Sequence, residues 1–307
     1  MQSFVHAVLV LATMILNVFS VVSVRIVRFV SASFADEPGS REEVRDAAEA
    51  LVSTVSADDI SDRIKRSTSD VERQKQKHID HLRWRREYGV DSILETPKPY
   101  FDVVKKYYPH VFHKRSKGKA ACVIQMEKAG QVGTLLEAVG RYADEIGRPH
   151  DDPAKVVIEH VSFVMTFVFE KLDARPWPNG KTIRIVDMSN LGMNDIGMDV
   201  FAFLGTMSDA SKVGFVERIH KIYVVNPPQS FAVIYGACKS MISEKTRRQI
   251  IVCADIPEFV KQVSREVSLD DIPREYGGCC DCVDCWRGDE NEAALCRLVD
   301  DVNRVSF

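Results

Sequence analysis

The residues best suited to chemistry crowd into one short stretch near the end of the chain, Cys279, Cys280, Cys282 and Cys285. Their overlapping Cys-x2-Cys spacings suit thiolates arranged around a tetrahedral zinc ion. A closed structural site normally draws a second ligand pair from farther along, and only Cys296 follows, with no histidine near it. Zinc, if held, would use Cys279, Cys282, Cys285 and Cys296. The expectation is instead that no metal is bound and that the tail is reduced and flexible. Lipidation of clustered cysteines beside a membrane is a third use. Cys122, Cys238 and Cys253 stand alone in apolar runs, where a free thiol behaves as a small buried hydrophobe and the core reads as cytosolic in redox character.

Catalytic constellations are missing. The chain has no Gly-x-Ser-x-Gly elbow, no complete Gly-x4-Gly-Lys-Ser/Thr phosphate loop, and no Gly-x-Gly-x-x-Gly after a strand. No cysteine stands six residues before an arginine. No catalytic residue is assigned, and the chain is expected not to be an enzyme.

The elements that must position any site are those of an ordinary globular protein, with 45% hydrophobic and 28% charged residues in 307. With 41 basic and 44 acidic residues, no electrostatic bias calls for nucleic acid. From Phe4 to Val24 no residue is charged, and a helix of that length would cross about 30 Å of hydrocarbon. Arg25 and Arg28 follow, which places the downstream chain in the cytosol. Residues 1–35 are therefore expected to be a transmembrane or signal-anchor segment. The alternative is a signal peptide cleaved near Ala35, leading into the secretory pathway. A charged linker with weak helices covers 36–77, and a helical run around Leu82 and Trp84 stops at Gly89.

From Ala121 onward, short Val- and Ile-rich runs alternate with helical ones. Four strands are predicted, Ala121–Met126, Thr182–Asp187, Lys221–Asn226 and Gln249–Ala254. Strands joined by crossover helices run parallel, so the reading is an α/β core with a parallel sheet. Val156–Leu172 is apolar on nearly every face and should be buried all round, whereas Asp199–Met207 is apolar on one broad side. Ser230–Ile242 forms a further helix whose apolar residues, among them Phe231, Ile234, Tyr235, Met241 and Ile242, cover more than one face and need a second apolar partner.

Five stretches, in order across roughly Asp80 to Gly278, resemble the CRAL-TRIO family, which is phosphatidylinositol-transfer-protein-like. Leu82-Arg-Trp-Arg-Arg-Glu-Tyr-Gly-Val-Asp91 is similar to the end of its N-terminal helical subdomain (78–107 here), and Tyr108-Pro-His-Val-Phe-His-Lys114 to the entry of its lipid-binding lobe (108–278). Ile185-Val-Asp-Met188 and Lys221-Ile-Tyr-Val-Val-Asn-Pro227 resemble central strands, and Ile272-Pro-Arg-Glu-Tyr-Gly-Gly278 its closing signature. Residues 279–307 remain as a Cys-rich tail.

The resemblance implies a parallel sheet under an apolar pocket closed by a gate helix, which Ser230–Ile242 matches. It also implies one phospholipid or similar hydrophobic ligand and no other cofactor. Glu217 matches a headgroup-supporting glutamate, Thr246 a threonine associated with headgroup phosphate, and Ser211 a position on the polar pocket side. The family's partnering lysine falls at Gln249, beside Arg248, so the ion pair is rearranged or lost. The function expected is lipid binding or transfer by a membrane-anchored protein. The alternative is a regulatory or scaffold module of this fold that transfers nothing.

Overall fold

Residues 55–189, 191, 213–228, 231, 244–287 and 290–304 are described by a computed structural model. Helices α1 (Asp62–Ser67) and α2 (Val71–Glu87) come first. Asp70 caps α2 by accepting the Arg73 N–H at 3.1 Å, and Gly89 ends it in the left-handed conformation that glycine adopts without a Cβ penalty. α3 (Phe101–Tyr107) leads into strand β1 (His110–Arg115), and β2 (Val123–Lys128) follows. Two helices, α4 (Val132–Glu145) and α5 (Pro153–Phe167, continued as a wider turn to Leu172), cross to β3 (Thr182–Asp187). Asp152 and Pro153 start α5, one as cap and the other as a first residue that needs no N–H partner.

β4 (Ile219–Val225), α6 (Glu244–Gln249), β5 (Ile250–Val252), α7 (Ile256–Val263) and α8 (Glu290–Arg304) complete the described order.

The five strands lie in the order β1-β2-β3-β4-β5, with β1 antiparallel to β2 and the rest parallel. The sheet is thus mixed, which corrects the expectation of a purely parallel one. β1 escaped the pattern because it is buried at four successive positions, His110 to His113, and alternates in neither polarity nor exposure. β2, β3 and β4 are covered on both faces, as parallel strands are, and so read as near-continuous apolar runs.

One face of the sheet packs Val186, Ile222 and Val224 against Leu135 and Val139 of α4 and Val157 of α5. The other packs Ile183, Ile185 and Tyr223 against Phe259 and Val263 of α7. α5 is buried on almost every side, as its composition requires.

The tail is built into the fold. α8 sets Leu295 and Val299 in the cluster around Phe112 of β1, and its Glu292 pairs with Lys105 of α3 at 2.5 Å. The i, i+4 spacing of those two apolar residues is what lets one face of α8 cover the sheet edge.

Among the described residues no helix is long and apolar enough to cross a membrane. Residues 4–24, where a spanning helix is expected, lie outside them, as do 199–207 and, apart from Phe231, the 230–242 segment.

Candidate functional site

Where β4 begins, the chain turns through Glu217, which holds a left-handed backbone with φ 57°. A non-glycine residue in that region costs about 1–2 kcal/mol, so surrounding contacts must impose it. Arg63 of α1 supplies one, donating from Nη1 to the Glu217 carbonyl at 3.0 Å, and its Nη2 donates to the Asn179 carbonyl at 2.6 Å. Arg218, the next residue, donates to the Gly180 carbonyl at 3.0 Å and lies over the Phe169 ring at 4.3 Å. The α2 side of this corner is held by His81, whose Nδ1 lies 2.9 Å from the Val213 carbonyl, and by Trp84, edge-on to Phe215.

These groups border a cleft of about 320 Å3, lined in part by Arg63, His81, Trp177, Gly214 and Arg218. Two glycines make it possible. A Cβ on Gly180 would fall 2.8 Å from Arg218 Nη1 and 2.9 Å from Arg63 Nη2, so only glycine lets both guanidiniums approach the 175–180 loop. A Cβ on Gly214 would strike the Trp84 ring.

Cations crowd the cleft, with Asp62 the one carboxylate among its lining residues. Lys181 lies 4.2 Å from the centre of the Trp177 ring, and Arg63 and Arg66 each lie 5.9 Å from it. Burial, and then the neighbouring Arg63, bring Arg218 down to about 10. Burial likewise lowers Arg63, against the pull of Asp173 and Glu217. Two like-charged, partly desolvated guanidiniums gain from an anion placed between them, and the planar fork of arginine suits phosphate in particular. Asp173, which attracts both guanidiniums, is itself held by a bidentate contact with Arg175 at 2.6 and 2.7 Å.

The other expected headgroup residues fall as follows. Gln249 lies at the same corner, its Nε2 donating to the Ile219 carbonyl at 2.9 Å, which brings it beside the Glu217 turn. Where the resemblance implies a lysine, Arg63, from an element far away in sequence, is a cation near Glu217. Arg248 is exposed and paired with Glu244 within α6. Thr246 belongs to α6, and Ser211 lies outside the described residues. Of the gate residues, Phe231 is buried against the α4 and α5 side of the sheet, while Ile234, Tyr235, Met241 and Ile242 lie outside the described residues.

Arg63, Arg218 and Trp177 are the site residues that reading along the sequence did not single out. Arg63 sits in a charge-rich stretch that resembles a linker, and only the folded chain brings it to β4.

A second polar group lies on the sheet itself. Glu127 of β2 receives Arg184 Nε and Gln125 Nε2 at 2.7 Å and the Tyr108 hydroxyl at 2.5 Å. Burial, and then the Glu127 carboxylate, push the Tyr108 phenol well above its usual value. Nearby, His110 and His160 meet at 3.2 Å, and burial with Lys105 close by keeps both imidazoles neutral, His160 down to about 3.

The cysteines sort differently from the spacing-based expectation. His113 of β1 joins Cys280, Cys282 and Cys285, one donor atom from each lying within 4.8 Å of all the others. Cys279 is exposed, and Cys296, on α8, is exposed with its sulfur turned toward Glu292. Both therefore leave the expected set. His113 is 167 residues from Cys280, beyond any local spacing rule.

A mixed α/β lobe with a cationic cleft at one corner of its sheet is thus the class of protein defined. The model of the CRAL/TRIO domain matches residues 116–278, just over half of the chain, and the chain belongs to that family. Phosphatidylinositol/phosphatidylcholine transfer protein SFH11 of Arabidopsis thaliana is 23% identical over 227 residues, covering 72% of this chain and 57% of its own length. The SFH4 protein of the same name and plant is 24% identical over 220 residues, 68% of this chain and 33% of its own. The Sec14 cytosolic factor of Schizosaccharomyces pombe is 24% identical over 208 residues, 65% of this chain and 66% of its own. The chain thus spans between a third and two thirds of these relatives. Among solved structures, Sfh5 is similar in fold, with a TM-score of 0.52 over 80% of this chain and 83% of its own at 18% identity.

Proposed function

We propose that this chain takes one phospholipid, or a similar hydrophobic molecule, into an apolar pocket and exchanges it with membranes. The observation that carries the reading is the cleft where Arg63 and Arg218 converge around the strained Glu217 turn. Its two guanidiniums suit a headgroup phosphate, and its volume suits a headgroup and not a whole lipid. The acyl chains would lie against the sheet and the gate segment, Ser230–Ile242, with Phe231 as its buried foot. Each enclosed CH2 adds about 0.8 kcal/mol, so tails need few polar contacts. The names of the relatives, phosphatidylinositol/phosphatidylcholine transfer proteins, support phospholipid as the ligand class. Thr246 and Gln249 would border the headgroup from α6, and Ser211 from the pocket side.

The uncharged run from Phe4 to Val24 would hold the lobe at a membrane with its pocket on the cytosolic side. Such an anchor favours local presentation, or transfer across a narrow gap, over long-range carriage.

Exchange of fluorescent phosphatidylcholine between vesicles tests the reading. The wild-type chain is expected to accelerate exchange, and Ile234→Glu, which puts a charge where acyl chains must pass, to slow it by roughly ten-fold or more. A wild-type chain that moves no lipid, or an Ile234→Glu variant as fast as wild type, would count against it.

A further inference from the structure

Besides the cleft, the fold assembles a second site from residues that lie wholly outside the segment matched by the family model. Cys280, Cys282 and Cys285 come from a single turn of chain just after that segment, and His113 from β1 just before it. We propose that these four residues bind one zinc ion, which fastens the tail to the edge of the sheet.

The geometry is close to what zinc needs. Zn–S bonds of about 2.3 Å and Zn–N bonds of about 2.0–2.1 Å at tetrahedral angles put neighbouring donors about 3.5–3.8 Å apart. Cys280 Sγ already lies 3.4 Å from His113 Nε2, and the whole set falls within 4.8 Å. His113 and Cys280 are buried, whereas Cys282 and Cys285 are half-buried, so the centre has a dry side and an entry side. Three sulfurs and one imidazole are soft donors, the set that selects zinc over magnesium or calcium.

The backbone has already placed the loop. Cys279 N–H donates to the Leu269 carbonyl at 2.8 Å and Cys280 N–H to that of Ile272 at 3.0 Å. Asp281 pairs with Lys114 at 2.8 Å, and Trp286 packs under Lys128 at 4.2 Å. Lys114 is next to His113, so its cation also offsets the negative charge of three thiolates and a divalent ion. The loop leads directly into α8, and a zinc ion here would fix the register in which α8 covers β1.

The test is metal content by inductively coupled plasma mass spectrometry on the full chain purified under reducing conditions without chelator. Wild type, Cys279→Ser and Cys296→Ser are expected to hold one zinc per chain, and Cys282→Ser and Cys285→Ser to lose it by about ten-fold or more. Cobalt(II) added in place of zinc should give the thiolate charge-transfer and tetrahedral bands in wild type and the two controls but not in the other two variants. Circular dichroism melting shows that each variant is folded. Wild type with under roughly a tenth of an ion per chain would overturn the proposal. So would iron in place of zinc, a disulfide among Cys280, Cys282 and Cys285, or equal loss in the Cys279→Ser control.

Discussion

Arg218→Glu is expected to lower phosphatidylinositol transfer by about 100-fold, because a charge-assisted contact of up to about 3 kcal/mol becomes a repulsion. The guanidinium is half-enclosed beside Arg63 and Gly180, so water screens only part of the change. Phosphatidylcholine carries the same phosphate beside a choline cation, which a carboxylate at 218 attracts, and should be affected less. The measurement is vesicle-to-vesicle transfer of each lipid at matched chain concentration, beside a thermal melt of the variant. Unchanged phosphatidylinositol transfer in a folded variant would remove the cleft from the proposed mechanism. Equal loss for both lipids would mean that the site reads phosphate and not the inositol end.

The second large effect concerns stability. Arg184→Met leaves Glu127 inside the sheet without its guanidinium, and breaking one side of a buried pair costs about 3–5 kcal/mol. Gln125 and Tyr108 still donate to the carboxylate, which keeps the cost from exceeding that range. At about 2 kcal/mol per molar urea, the midpoint should fall by roughly 1.5–2.5 M. Adding Glu127→Leu removes the stranded carboxylate, so the double variant is expected to recover most of the loss. A single variant within about 1 kcal/mol of wild type would show that water reaches the pair and that this side of the sheet is wet.

How far the sequence revealed all this depended on the distance over which each signal acts. Thr182–Asp187 was legible to the residue because a central parallel strand is apolar on both faces and bounded by Lys181 and Met188. Gln249–Ala254 was read too long, since Gln249 still belongs to α6 and its side chain turns back to Ile219. β1 was not read at all. Two histidines, Val111 and Phe112 give neither a period of two nor a Val/Ile run, and α8, which packs on Phe112, lies at the other end of the chain.

The sites followed the same rule. Glu217 could be singled out by resemblance, but not the reason its backbone is strained, because Arg63 is 154 residues away. The cysteine spacing offered Cys279, Cys282, Cys285 and Cys296 for a metal that was not expected to be bound, whereas the folded chain gathers Cys280, Cys282 and Cys285 with His113. Spacing carries no information about which side chain points inward, so it could not separate Cys279 from Cys280, and no local pattern links the cysteines to His113, which lies far upstream.

The central claim is that this chain encloses a single lipid, and native mass spectrometry of the purified chain tests it most directly. After incubation with mixed phosphatidylinositol and phosphatidylcholine vesicles, the account predicts one phospholipid bound per chain, with the phosphatidylinositol adduct reduced in Arg218→Glu. A chain that stays folded and carries no lipid adduct from either vesicle would contradict it.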